Sequence, residues 1–137
     1  MGADIALDPR SLSPYGPIPE LGQRRANLVY ECVGLPGLLQ QIIQSVAFDA
    51  RIVMGGYCME HEQLFVFSAQ NKRRTVHFAG GEEAQDMELA LRSIASGAID
   101  VTAWVGSRIG LSGVGTALAC MSDPGAAIRT VVDPRKL

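Results

Sequence analysis

The chain carries no glycine-rich phosphate turn: neither G-x-G-x-x-G nor G-x-x-x-x-G-K occurs in its 137 residues, and no strand followed by a ribose-binding acid precedes residue 28. Basic charge is also scarce. Twelve Lys and Arg against 14 Asp and Glu leave a net charge of -2, which gives no field for nucleic acid or an anionic membrane. The densest basic run, Lys72-Arg73-Arg74, reads as a solvated entry to a strand. No apolar run approaches the roughly 18 residues of a membrane span, and Met1-Gly2-Ala3-Asp4 resembles no secretory leader, so a cytoplasmic location is expected.

Cysteine and histidine are equally sparse. Cys32, Cys58 and Cys120 are too widely spaced for a disulfide framework or a C-x-x-C knuckle and are expected to be buried thiols. His61 and His77 lack ligand-like spacing, so no metal site is expected. No Ser-His-Asp or Cys-His arrangement stands out, and Glu31 and Glu60 read as solvated or locally paired carboxylates, so no catalytic residue is assigned.

What is present is a hydrophobic content of 47% with 19% charged residues, the balance of a soluble globular unit. Ile5-Ala6-Leu7 is a short apolar run stopped by Asp8-Pro9, and prolines 14, 17 and 19 keep the chain irregular to about Gln23. Residues 27–33 form an apolar strand of the kind covered on both faces, and Gly34 ends it. Leu38, Leu39, Ile42, Ile43 and Val46 recur at helical spacing behind Pro36. Residues 50–54 form the next strand, closed by Gly55-Gly56, and the crossover rule makes it parallel to the first.

Residues 57–71 read as a loop with a short strand or helical turn. A third strand, Thr75 to Ala79, is closed by Gly80-Gly81. A helix follows over 86–97, with Met87, Leu91 and Ile94 on one stripe and Gly97 as its stop. Residues 101–109 are extended, Ser112 heads a helix carrying Val114, Leu118 and Met121, and residues 128–132 close the chain as a strand in a hairpin-like return.

Several of these segments, in their order, resemble the C-terminal portion of medium-chain, zinc-type alcohol dehydrogenases. They are Met1-Gly2-Ala3-Asp4, Val29-Tyr30-Glu31-Cys32-Val33-Gly34, Pro36-Gly37, Ala50 through Gly56, Ser96-Gly97-Ala98-Ile99-Asp100 and Ala127 through Val132. The resemblance implies an α/β fold, a partial Rossmann fold with a doubly wound parallel sheet and a C-terminal return segment. Residues 1–100 would be the second half of the nucleotide-binding domain. Residues 101–137 would be the segment that returns to the catalytic domain. Ile5 to Leu7 would match the third strand of the 3-2-1-4-5-6 order, and the three glycine-closed strands the fourth to sixth.

The resemblance also implies an NAD(P) cofactor and hydride transfer between nicotinamide and an alcohol or carbonyl substrate. It assigns Val33, Gly34, Gly55, Gly56, Tyr57, Ala79 and Gly80 to the nicotinamide end of the cofactor site, and Arg129 to the pyrophosphate. The parent family's zinc ligands and phosphate turn have no counterpart in the chain, so the active unit implied is larger than 137 residues. Loss of the first two strands would bare one edge of the fourth, which predicts a homo-oligomer or a complementing N-terminal half. Two other readings stay open: a non-catalytic remnant or interaction module of the same fold, and an unrelated small α/β ligand-binding protein.

Overall fold

A computed structural model describes residues 3–123 and 125–136. Met1 and Gly2 of the matched N-terminal stretch therefore lie outside the described residues. Contacts divide the chain into two compact units, Met1–Gly81 and Glu82–Leu137.

The first unit is built on β1 (Leu28–Glu31), α1 (Leu38–Ser45), β2 (Arg51–Met54), α2 (Val66–Asn71) and β3 (Thr75–Phe78). The three strands form one parallel sheet in the order β1-β2-β3, with Val29, Ile52 and Val76 in one row and Tyr30, Val53 and His77 in the next. The partial Rossmann arrangement expected from the sequence is therefore present. Ile5 to Leu7 is the exception, because no strand forms there and β1 is the sheet's edge among the described residues. With Asp8-Pro9 directly behind it and no partner strand beside it, that run has no ladder to join.

Sequence periodicity explains the core. The apolar stripe of α1 puts Leu39, Ile42 and Ile43 against the alternate residues Val29 and Ile52 of the sheet, and Val46, Ala50 and Met54 complete the cluster. Fully burying side chains such as Ile42 and Ile52, both 0% exposed, contributes about 1.5–3 kcal/mol each. The opposite face was expected to be covered as well, yet Leu28 is 49% and Tyr30 68% exposed. β1 alternates exposed and buried like a one-sided strand, an unusual condition for a parallel sheet.

Both ends of α1 are held by distant segments. At the C-terminal end, Arg74 Nη2 donates to the Val46 carbonyl at 2.9 Å and Lys72 Nζ to the Gln44 carbonyl at 3.4 Å, while an Arg25 guanidinium nitrogen donates to the Ser45 carbonyl. Three cations thus meet the negative end of the helix dipole. Burial, with the Arg25 charge nearby, pushes Arg74 below its usual range. Lys72 and Arg74 of the basic run thus cap α1, while Arg73 between them stays exposed and pairs with Asp49.

The second unit holds α3 (Ala84–Ala95), β4 (Val105–Ile109), α4 (Val114–Ala119) and β5 (Arg129–Val132). Glu83 and Asp86 form a capping box at the start of α3, and Gly97, with φ 75°, follows its end as the sequence predicted. β4 and β5 are parallel, with Ser107 Oγ and Thr130 Oγ1 hydrogen-bonded at 2.8 Å. The hairpin-like return read from the sequence is thereby corrected. With α4 lying between the strands in sequence, the connection is a crossover, which sets them parallel. Among the described residues no helix is long and apolar enough to cross a membrane.

Candidate functional site

The carboxyl ends of β1, β2 and β3 lie side by side, and the first unit opens there into a cleft of about 540 Å³. Gly56, Tyr57, Ala79 and Gly80, four of the residues singled out from sequence, line it together with Leu39, Met54, Leu64 and Phe78. Tyr57 stands between the ends of β2 and β3, since a Cβ at Gly80 would lie 3.2 Å from its hydroxyl. Val33, Gly34 and Gly55 do not line the cleft. Arg129 begins β5 in the second unit, where it borders a separate apolar hollow with Ile109, Leu118 and Met121.

The glycines at the strand ends serve chain packing as much as ligand access. Gly34 has φ 72°, and a Cβ on it would stand 2.5 Å from the Tyr57 carbonyl oxygen. A Cβ on Gly56 would stand 2.4 Å from the Gly34 nitrogen and 2.7 Å from Glu31 Oε2. All three distances are well inside van der Waals contact, so each turn occupies the space the other's side chain would need. Gly55 and Gly80 are less crowded, with the nearest atoms to an added Cβ at 3.5 and 3.2 Å.

Glu31, expected to be solvated or locally paired, is 2% exposed and locally paired. Its Oε1 accepts the N–H groups of Val33 and Gly34 at 2.6 and 2.8 Å, and its carbonyl accepts those of Gly55 and Gly56 at 2.7 and 2.9 Å. The charge is felt nearby: burial raises the Tyr15 phenol above its ordinary pKa, and Glu31 adds to the rise. A local signal for this existed, a carboxylate two and three residues ahead of the amides of a strand-ending turn.

A second pair had no such signal. Glu62 Oε2 accepts the Gly37 N–H at 2.7 Å and Gln40 Oε1 accepts the Phe65 N–H at 2.8 Å, tying the 57–65 loop to the first turn of α1. The positive end of that helix is thus met by a carboxylate of the chain itself.

The walls of the cleft are mainly apolar, Glu60 and Glu62 contribute its two carboxylates, and no Lys, Arg or His lines it. Zinc does not fit, because no group of three or more His, Cys, Asp or Glu among the described residues is arranged to hold a metal ion. The thiols also depart from expectation: Cys32 and Cys120 are exposed and Cys58 is half-buried. Cys32 follows the last residue of an edge strand and Cys120 follows α4, where neither has a core to enter.

No protein-family model and no curated protein matches the sequence. Solved structures do match. A cobalt- and zinc-bound thermostable alcohol dehydrogenase from Pyrobaculum aerophilum superposes with a TM-score of 0.75 and 19% identity, over 97% of this chain and 37% of its own. A protein described as a short chain alcohol dehydrogenase, from E. coli CFT073 and complexed with NADH, gives 0.69 and 15%, over 83% and 34%. The 2R,3R-butanediol dehydrogenase of Bacillus subtilis gives 0.68 and 19%, over 85% and 33%. The chain spans about a third of the length of each of these structures. The resemblance to alcohol dehydrogenases drawn from the sequence is therefore present in the fold.

Proposed function

We propose that this chain forms the nicotinamide-facing part of an NAD(P)-dependent oxidoreductase acting on an alcohol or its carbonyl product. The observation that carries the reading is the cleft at the three parallel strand ends, where Gly56, Tyr57, Ala79 and Gly80 meet. Ligands of open α/β sheets bind outside the carboxyl ends of the strands. The likeness in fold to dehydrogenase structures, one of them with NADH bound, supports the same reading.

In this reading the strand-end backbone at Gly56–Tyr57 and Ala79–Gly80 orients the ring, the turn at Val33–Gly34 supports Gly56 and Tyr57 by packing against them, and Leu39, Met54 and Phe78 keep water from one side of it. When bound, the nicotinamide supplies the hydride donor or acceptor. Arg129 is assigned to the pyrophosphate, for which a guanidinium offers bidentate contact. Residues 1–100 belong to the coenzyme-binding part and residues 101–137 to a segment returning to the catalytic part.

The bare face of the sheet and the unpaired edge of β1 support completion by more polypeptide, either a complementing N-terminal half or a second copy. The same features favour the second reading, an interaction module without catalysis. A cytoplasmic setting accords with the free cysteines.

Titration of the purified chain with NADH, followed by nicotinamide fluorescence, tests the proposal. A saturable rise that Gly80→Val abolishes, with unchanged far-ultraviolet circular dichroism, is expected. A folded chain that gives no rise at millimolar NADH overturns the coenzyme reading and leaves the interaction module.

A further inference from the structure

Glu31 is the most deeply buried charged residue described, at 2% exposure, and its hydrogen bonds are divided between two strand ends. Its side chain takes the Val33 and Gly34 amides of the β1 turn, while its main-chain carbonyl takes the Gly55 and Gly56 amides of the β2 turn. The remaining carboxylate oxygen, Oε2, is buried without a hydrogen-bonding partner and faces Gly56, whose missing Cβ would come within 2.7 Å of it. A buried carboxylate kept in so confined a place is costly unless the bonds it makes are worth more than its desolvation.

We propose that Glu31 is the positioning residue of the cleft. Through the two turns it sets the backbone on which Gly56 and Tyr57 are presented to a bound ring, and it does so without reaching the ligand itself. The assignment rests on the coenzyme reading above. Geometry supports the coupling, because the Gly34 turn abuts the Tyr57 main chain with no room for a single added carbon. A shift of the β1 turn therefore moves the Tyr57 backbone, and with it one wall of the cleft.

The test uses the full chain and two variants, Glu31→Gln and Glu31→Ala, with backbone amide exchange followed residue by residue and NADH affinity measured in parallel. Bonds to a charged acceptor are roughly twice as strong as neutral ones. Glu31→Gln should accordingly speed exchange at Val33 and Gly34 by about tenfold, leave the α1 amides of Ile42 and Ile43 protected, and weaken NADH severalfold. Glu31→Ala should free both amides and weaken NADH further; should that variant unfold, the isosteric Gln variant decides alone.

Unchanged exchange at Val33 and Gly34 in the Gln variant overturns the proposal. So does faster exchange with NADH affinity unaltered in a chain that binds NADH. A wild-type chain that binds no NADH removes the coenzyme reading instead. The shift of the Tyr57 and Cys58 amide resonances in Glu31→Gln then decides the lock, supporting it when they move and overturning it when they stay.

Discussion

Gly34 and Tyr57 are in such close register that a Cβ on Gly34 would lie 2.5 Å from the Tyr57 carbonyl oxygen, at a backbone φ of 72°. Gly34→Ala combines left-handed strain of roughly 1–2 kcal/mol with direct overlap against main chain. We expect a loss of at least about 3 kcal/mol in urea unfolding. Gly22→Ala is the control: its φ is 64°, yet nothing lies within 4 Å of the added carbon. It should lose only the conformational part, roughly 1–2 kcal/mol. Equal losses for the two would mean that the turns do not interlock.

Glu62→Ala should remove the carboxylate that meets the α1 N-terminus at Gly37. Loss of a cap of this type costs about 1 kcal/mol, read as a lower urea midpoint. Because the same side chain tethers the loop, proteolysis between Tyr57 and Phe65 should accelerate as well. A variant with lower stability but unaltered cleavage there would assign Glu62 to the helix alone.

Asp49 and Arg73 make a paired contact at 2.6–2.8 Å, with Arg73 also lying over the Phe48 ring. The Arg73 hydrogen bond holds the Asp49 carboxyl below the usual range. A carboxyl whose folded pKa is depressed adds stability above its unfolded value, near 3.9, and loses it as pH falls through the folded value. Asp49→Asn is the suitable variant, since Asp49 has φ 56° and asparagine tolerates that conformation. The wild-type advantage in urea midpoint should be present at neutral pH and shrink as the solution is acidified below about pH 4. A gap that persists unchanged to about pH 2 would assign it to something other than this charge.

The thiols offer a chemical check. Exposed Cys32 and Cys120 should react rapidly with an aromatic disulfide reagent. Half-buried Cys58, whose Sγ donates to the Glu60 carbonyl at 3.6 Å, should follow in a slower phase. Cys58→Ser should delete that phase only. Three equally slow thiols would restore the buried assignment suggested by the sequence.

Much of the first unit was legible because its signals are local. The stripe from Leu38 to Val46 fixes α1, and glycine after each apolar run fixes where the strands stop. The cleft residues Gly56, Tyr57, Ala79 and Gly80 stand at two of those stops, where the family resemblance assigned them, while Val33, Gly34 and Gly55, assigned with them, do not line the cleft. What escaped was long-range or two-sided. Glu62 and Gln40 act on partners 25 residues away, a separation that leaves no periodic trace. The parallel pairing of β4 and β5 depends on whether α4 spans the connection or merely decorates it, and composition does not distinguish the two. Glycine carries a double meaning too, since access for a ligand and accommodation of a neighbouring turn demand the same residue, and only coordinates separate Gly34 and Gly56 from Gly80.

The caps of α1 have a consequence for biosynthesis. Its N-terminal partner is Glu62, and its C-terminal partners include Lys72 and Arg74. A nascent chain that has emerged only through Ser45 therefore possesses the helical stripe and Arg25, but neither its N-terminal partner Glu62 nor two of the three cations of its C-terminal end. The segment gains its full stability only after the ribosome has released Arg74, at the threshold of β3, so helix and sheet should consolidate together, late, and in one step.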